Sequence, residues 1–179
     1  YSDVDCAVKA AQDAFEEWRS TPVMSRAQYM YRFKSLLEER FEDLSKIVVL
    51  ENGKTIDEAR GEVRRGIESV DFATGVPFMM RSDGLEDVSS GIDETTLRQP
   101  AGVFAAITPF NFPMMVPLWF LPTAIVCGNT FIVKPSPQTP MTQELVFELL
   151  AELDLPEGVV NLVHGGIAAS KAVMEHPGI

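Results

Sequence analysis

Cysteine is nearly absent from this sequence. Among 179 residues only Cys6 and Cys127 occur, far apart and outside any Cys-x-x-Cys or Cys/His spacing. Neither a metal site nor a disulfide framework is expected, and the usage suits a reducing cytoplasm. Positive charge is scarce as well: Lys and Arg number 15 against 26 Asp and Glu, and the net charge of −11 is spread along the chain. With no basic stripe to neutralise phosphates, nucleic acid is not an expected partner. Long apolar runs are missing too. The longest, Phe112 to Val126, is interrupted by Pro113, Pro117 and Pro122 and is too short to cross a bilayer, so no membrane is expected either. No basic segment followed by an apolar run and a cleavage site opens the chain. Tyr1 in place of Met leads us to expect a fragment.

What is present suits a globular protein. Apolar residues make up 46% of the chain, enough for one sizeable core or two small ones sharing an interface. Val4, Ala7, Val8, Ala11, Phe15 and Trp18 recur at helical spacing after Ser2, read as an N-cap. A longer helix is predicted from near Ser25 to Asn52 and Gly53, with Phe33, Leu36, Leu37, Phe41, Leu44 and Ile47 on one face. A third runs from about Ile56 to Phe72. From Arg81 to Gln99 the sequence turns polar, with Gly84, Gly91 and a strand-like run over Thr95 to Arg98, which reads as a hairpin or extended arm.

Pro100 separates this from a different rhythm. Apolar runs at Gly102–Ile107, Thr130–Val133 and Val159–Val163 alternate with helical patterns at Pro113–Cys127, Pro140–Leu153 and Ala168–Glu175. Strand and helix in alternation predict a parallel sheet with helical crossovers, here half of a doubly wound α/β nucleotide-binding fold. Thr139 before Pro140 reads as an N-cap, and Gly128 after Cys127 as a stop.

Ligands bind at the carboxyl ends of such strands. The loop after the first strand, Thr108-Pro109-Phe110-Asn111-Phe112-Pro113, holds Asn111 between two prolines at that end. Its amide could donate to a developing oxyanion or merely cap the following helix. No Gly-x-Gly-x-x-Gly follows the strand, so the usual Rossmann phosphate loop is not expected.

Thr-Pro-Phe-Asn-Phe-Pro, then Gly128-Asn129-Thr130 and Lys134-Pro135-Ser136, in this order and spacing, resemble the aldehyde dehydrogenase superfamily over essentially the whole chain. Phe110, followed by Met114, Met115, Pro117 and Trp119, resembles its methylmalonate semialdehyde dehydrogenase branch, which oxidises malonate or methylmalonate semialdehyde with NAD and passes the acyl group to coenzyme A. The resemblance implies that Asn111 donates to the oxyanion formed on a catalytic cysteine. That cysteine and the general-base glutamate stand beyond residue 179 in the family, so neither Cys6 nor Cys127 is the nucleophile.

The resemblance also implies a cofactor set. Lys134 would bond the adenosine ribose, Ser136 would sit near it, Thr108 and Phe110 would line the channel, and Gly165 would let the chain pass the adenine end. His164 stands beside it, either near the same end of the cofactor or as a capped or solvated side chain. Pro137 departs from the Glu that many NAD-using members carry three residues after this lysine, which leaves NADP open beside NAD. Arg65 stands where the branch has an arginine that reads the substrate carboxylate. Its alternative is a surface arginine paired with Glu62 or Glu68, and neighbouring Arg64 blurs the assignment.

The expected domains are a helical part of the cofactor domain over 1–80, an oligomerisation arm over 81–100, and the first half of a Rossmann-like NAD(P)-binding sheet over 101–179, without the catalytic domain. The expected protein is cytoplasmic and, at full length, a homo-oligomer acting on a small aldehyde. Two rivals stay open: a nonacylating succinate semialdehyde type, and a noncatalytic binding or assembly module.

Overall fold

The computed structural model describes residues 2–179. Helix α1 (Ser2–Ser20) buries Val4, Val8, Ala11 and Trp18 along one stripe, and Ser2 is its first residue rather than a cap preceding it. The single helix expected up to Asn52 is two, α2 (Val23–Glu39) and α3 (Phe41–Asn52). They are joined at Arg40, whose φ of −100° and ψ of 16° lie in the bridge region. One straight helix of that length would run about 40 Å. The bend instead lets Phe33 and Leu37 on one side, and Leu44 and Val48 on the other, enter a common core. Gly53, at φ 81°, ends α3 in the left-handed conformation expected of a glycine stop.

Helix α4 (Ile56–Thr74) starts at a capping box in which Thr55 and Glu58 satisfy each other's backbone amides. A short turn of helix, α5 (Val76–Met79), leads to an antiparallel hairpin of β1 (Gly84–Ser89) and β2 (Ile92–Thr95). The hairpin is exposed along its whole length. The strand expected over Thr95–Arg98 ends at Thr95: after the Thr96 amide donates to Asp83 O, it is the Arg98 side chain rather than the backbone that bonds back to Arg81 O and Asp83.

The parallel sheet is as expected: β3 (Val103–Ile107), β4 (Thr130–Lys134) and β5 (Val160–Leu162), in that order. The crossovers are α6 (Met115–Val126) and α7 (Met141–Ala151), and α8 (Ile167–Glu175) follows β5. Central β4 is buried on both faces. Phe131 and Val133 join a large core with α2, α3, α4, α6 and α7, while Ile132 joins a smaller one with α1 and α8, as the two-residue period of a strand requires. Thr139 does not cap α7: its hydroxyl has no partner, and the Met141 and Thr142 amides donate instead to Glu51 on α3. Among the described residues no helix is long and apolar enough to cross a membrane.

Candidate functional site

The parallel strands set the site. Ile107 pairs with Lys134 and Val133 with Leu162, so the carboxyl ends of β3, β4 and β5 lie side by side, bringing Thr108, Lys134 and the turn at Gly165 together. Thr108 is buried and donates its amide to Lys134 O at 3.1 Å. Lys134 is also buried, and its Nζ donates to Pro135 O at 2.8 Å and Gly165 O at 2.9 Å, tying two strand ends together. Burial pushes its pKa down. Two of the three ammonium donors are used and the third has no partner among the described residues.

Gly165 has φ 144°, and a Cβ there would stand 2.6 Å from Ala169 Cβ, so only glycine fits between β5 and α8. Ser136 accepts from the Gln138 amide and keeps its own O–H free to donate. Pro137 is exposed and offers no side-chain acceptor. His164 pairs with Glu144 at 2.6 Å on the surface.

Asn111 sits in a loop whose backbone is gripped from three sides. Asn52 donates to Phe110 O at 2.7 Å, Lys54 to Asn111 O at 2.5 Å, and Gln143 to Pro113 O at 2.7 Å. Helix α6 has no capping side chain of its own; the Met114 and Met115 amides donate to Glu62 Oε1 at 2.8 and 3.3 Å. The helix-capping alternative for Asn111 therefore fails. Its carboxamide is exposed and has no hydrogen-bond partner among the described residues, while the Phe110 ring beside it is half exposed.

Arg65 lines an open cleft of about 370 Å³ with Glu68, Ser69, Phe72, Trp119 and Thr123. It has no ion pair among the described residues, because Glu62 is taken by Lys54, and Arg64 pairs with Glu38 across Phe41. The two adjacent arginines are thus separated by structure: Arg64 is engaged, Arg65 is free.

Sequence reasoning missed Asn52, Lys54, Glu62 and Gln143. One signal was available for Glu62, a carboxylate falling inside the apolar stripe of Ala59, Val63, Gly66 and Val70 on α4. Gly66 lets α6 come close, since a Cβ there would meet Leu118 Cδ1 at 3.1 Å. The Asn129 of the Gly-Asn-Thr motif is structural: it accepts from the Ala101 and Gly102 amides and donates to Ala124 O.

The profile of the aldehyde dehydrogenase family matches residues 1–179. Among curated relatives, malonate-semialdehyde dehydrogenase 2 of Geobacillus thermodenitrificans is 50% identical over 177 residues, covering 99% of this chain and 37% of that protein. Malonate-semialdehyde dehydrogenase 1 of Oceanobacillus iheyensis is 51% identical over 99% of this chain and 36% of its own length. The crystal structure of methylmalonate-semialdehyde dehydrogenase from Oceanimonas doudoroffii superposes with a TM-score of 0.95 at 45% identity, covering 98% of this chain and 36% of that one. That of a putative methylmalonate-semialdehyde dehydrogenase from Sinorhizobium meliloti, complexed with NAD, gives 0.95 at 40% identity over 99% and 36%. The chain thus spans a little over a third of the length of these relatives. With the family profile matched along all 179 residues and the sheet, loop and crossovers in the same arrangement, the chain belongs to the aldehyde dehydrogenase family.

Proposed function

We propose that this chain forms one wall of the active site of an NAD(P)-dependent dehydrogenase for a malonate-type semialdehyde, with coenzyme A as acyl acceptor. The observation that carries the reading is Asn111: the carbonyls of its loop at Phe110, Asn111 and Pro113 are each held by a side chain while its carboxamide stays free at the carboxyl end of a parallel sheet. An amide held that way donates to an oxyanion as charge develops, without reorganising. The thiolate and the general base come from outside these 179 residues. Cys127 ends α6, about 18 Å from the Asn111 loop by helix length, and burial raises its pKa. Cys6 is exposed on α1, the helix that packs with Ile132 on the opposite face of the sheet from α6.

The donor set at the strand ends fits a dinucleotide. Lys134 has one free ammonium donor and Ser136 a free hydroxyl for a ribose, Gly165 opens the adenine end, and Thr108 and Phe110 line the channel. The cofactor supplies the hydride acceptor. With Pro137 where a carboxylate would take the ribose hydroxyls and repel a 2′-phosphate, both NAD and NADP are accommodated. Arg65 supplies the fork for the distal carboxylate of the substrate, with Trp119 walling the same cleft. Residues 1–80 and 101–179 are then parts of one cofactor domain. The exposed hairpin within 81–100 is an oligomerisation arm, since a two-stranded ribbon is marginal without a partner.

The test is an intact enzyme containing this segment with Arg65→Gln. Losing a bidentate charged bond of about 1.5–3 kcal/mol should raise KM for malonate semialdehyde roughly 10- to 150-fold, while an uncharged aldehyde of equal length is oxidised as before. Equal losses on both substrates would remove Arg65 from carboxylate recognition. No cofactor reduction with any aldehyde by the parent would sink the whole reading.

A further inference from the structure

We infer that Lys54, seated between Glu62 and the loop and assisted by Asn52, is a positioning residue that aims the Asn111 carboxamide. The inference rests on the reading of Asn111 as the oxyanion donor.

The loop from Thr108 to Pro113 cannot hold its own shape by backbone pairing. Pro109 and Pro113 have no N–H, and the sheet ladder stops at the Thr108 amide. Its carbonyls at Phe110, Asn111 and Pro113 are bonded by side chains from Asn52, Lys54 and Gln143. Of these, Lys54 acts on Asn111 itself. Its ammonium donates to Asn111 O and to Glu62 Oε2, and stands 4.0 Å from the centre of the Phe112 ring. Two of its three contacts are therefore with the catalytic loop.

Glu62 completes the clamp from beneath. Its side chain is 1% exposed and that of Lys54 17%. While Oε2 holds Lys54, Oε1 takes the Met114 and Met115 amides where α6 begins. The same carboxylate thus fixes the ammonium before Asn111 and the helix start after it.

A buried ion pair is a poor way to gain stability, because apolar side chains of similar volume serve as well or better. What apolar side chains cannot do is orient a carbonyl. The Lys54 bond to Asn111 O holds the peptide plane after residue 111 and the Asn52 bond to Phe110 O holds the plane before it; together they fix the φ and ψ of residue 111, and with them the direction in which its side chain leaves the chain. Such placement matters for the chemistry, since a misplacement of about 1 Å can cost roughly a hundredfold in rate.

The experiment uses the intact enzyme that contains this segment and follows the pre-steady-state burst of reduced cofactor in single and double variants. Lys54→Met should slow the burst by about ten- to hundredfold, Lys54→Arg should recover most of the loss, and cofactor affinity should stay within about twofold because the ribose site is untouched. In an Asn111→Ala background the same Lys54→Met change should cost less than about threefold, since the group it aims is gone. Should Lys54→Met unfold the protein, Asn52→Ala, which removes one exposed neutral bond, takes its place in the same cycle, with an expected loss of roughly three- to tenfold. A full multiplicative loss in the Asn111→Ala background, or a parent-like burst in the single variant, would overturn the inference. Asn111→Ala at the parent rate would instead sink the oxyanion reading on which it stands.

Discussion

The two ends of α6 are held in the same way and used differently. Neither has a capping side chain of its own, and each is closed by a buried charge from far along the chain. At the amino end, Glu62 takes the Met114 and Met115 amides. At the carboxyl end, Arg26 donates Nε to Val126 O at 2.8 Å, and its Nη1 donates to the carbonyls of Trp18, Arg19 and Thr21 at the end of α1. An anion at the amino end and a cation at the carboxyl end both oppose the helix dipole. The difference lies in what each clamp leaves over. Around Arg26 little is free: Gly128 packs on its guanidinium, Trp18 spends its indole N–H on Ile125 O, and burial lowers the arginine's pKa. Around Glu62 the backbone is equally tied, yet one carboxamide projects unpaired. One end is built for stability, the other for stability plus a free group, and substitutions separate the two.

The largest effect is expected at the carboxyl end. Arg26→Leu takes the guanidinium donor from Val126 O at the end of α6 and from Arg19 O and Thr21 O at the end of α1, and should lower unfolding free energy by about 3–4 kcal/mol. Urea denaturation measures it, and a loss under about 1 kcal/mol would make Arg26 no more than a surface charge and dissolve the comparison. At the amino end the expected cost moves from stability to rate. Asn111→Ala in the intact enzyme should slow acylation by roughly two to three orders of magnitude, about 3 kcal/mol of barrier, with unfolding free energy changed by no more than about 0.5 kcal/mol. A loss of stability matching the loss of rate would mean that Asn111 is part of the clamp. The smallest effect belongs to Gly128→Ala. At φ 98°, with a Cβ 3.1 Å from Arg26 Cζ, it should destabilise by about 1–2 kcal/mol and leave turnover per folded molecule unchanged. A drop in turnover would show that the carboxyl end also feeds the site.

The distribution of clamps explains what the sequence made legible. The strands of the parallel sheet, the crossover helices and the Gly53 stop are local patterns, and they stand where periodicity and turn chemistry place them. So does the loop with Asn111, because its prolines and its place after a strand are local too. The bend at Arg40 was hidden, since Phe33, Leu37, Leu44 and Val48 all reach the core and a continuous apolar face reads as one helix. The cap at Thr139 looked local and is not: Glu51, 90 residues before Met141, holds that helix start. Lys54, Asn52 and Gln143 were invisible for the same reason, and Glu62 showed only as a carboxylate within an apolar stripe, without its partners. Each acts on backbone 30 to 58 residues away, and no spacing rule records such a partner. Arg64 and Arg65 are alike in sequence, and only their neighbours tell them apart.

The carboxylates that start α6 and α7 are older than the helices they start. On the ribosome, 52 residues separate Glu62 from Met114, an interval of roughly 3–10 s at ordinary synthesis speeds. For Glu51 and Met141 the wait is roughly 5–20 s. Until Met114 is made, Glu62 has Lys54 as its charged partner but no helix amide for its other oxygen, and the stripe of α4 in which it lies waits for α6. The first helices therefore form a waiting dock rather than a finished core, and each crossover helix emerges to find its starting acceptor already in place.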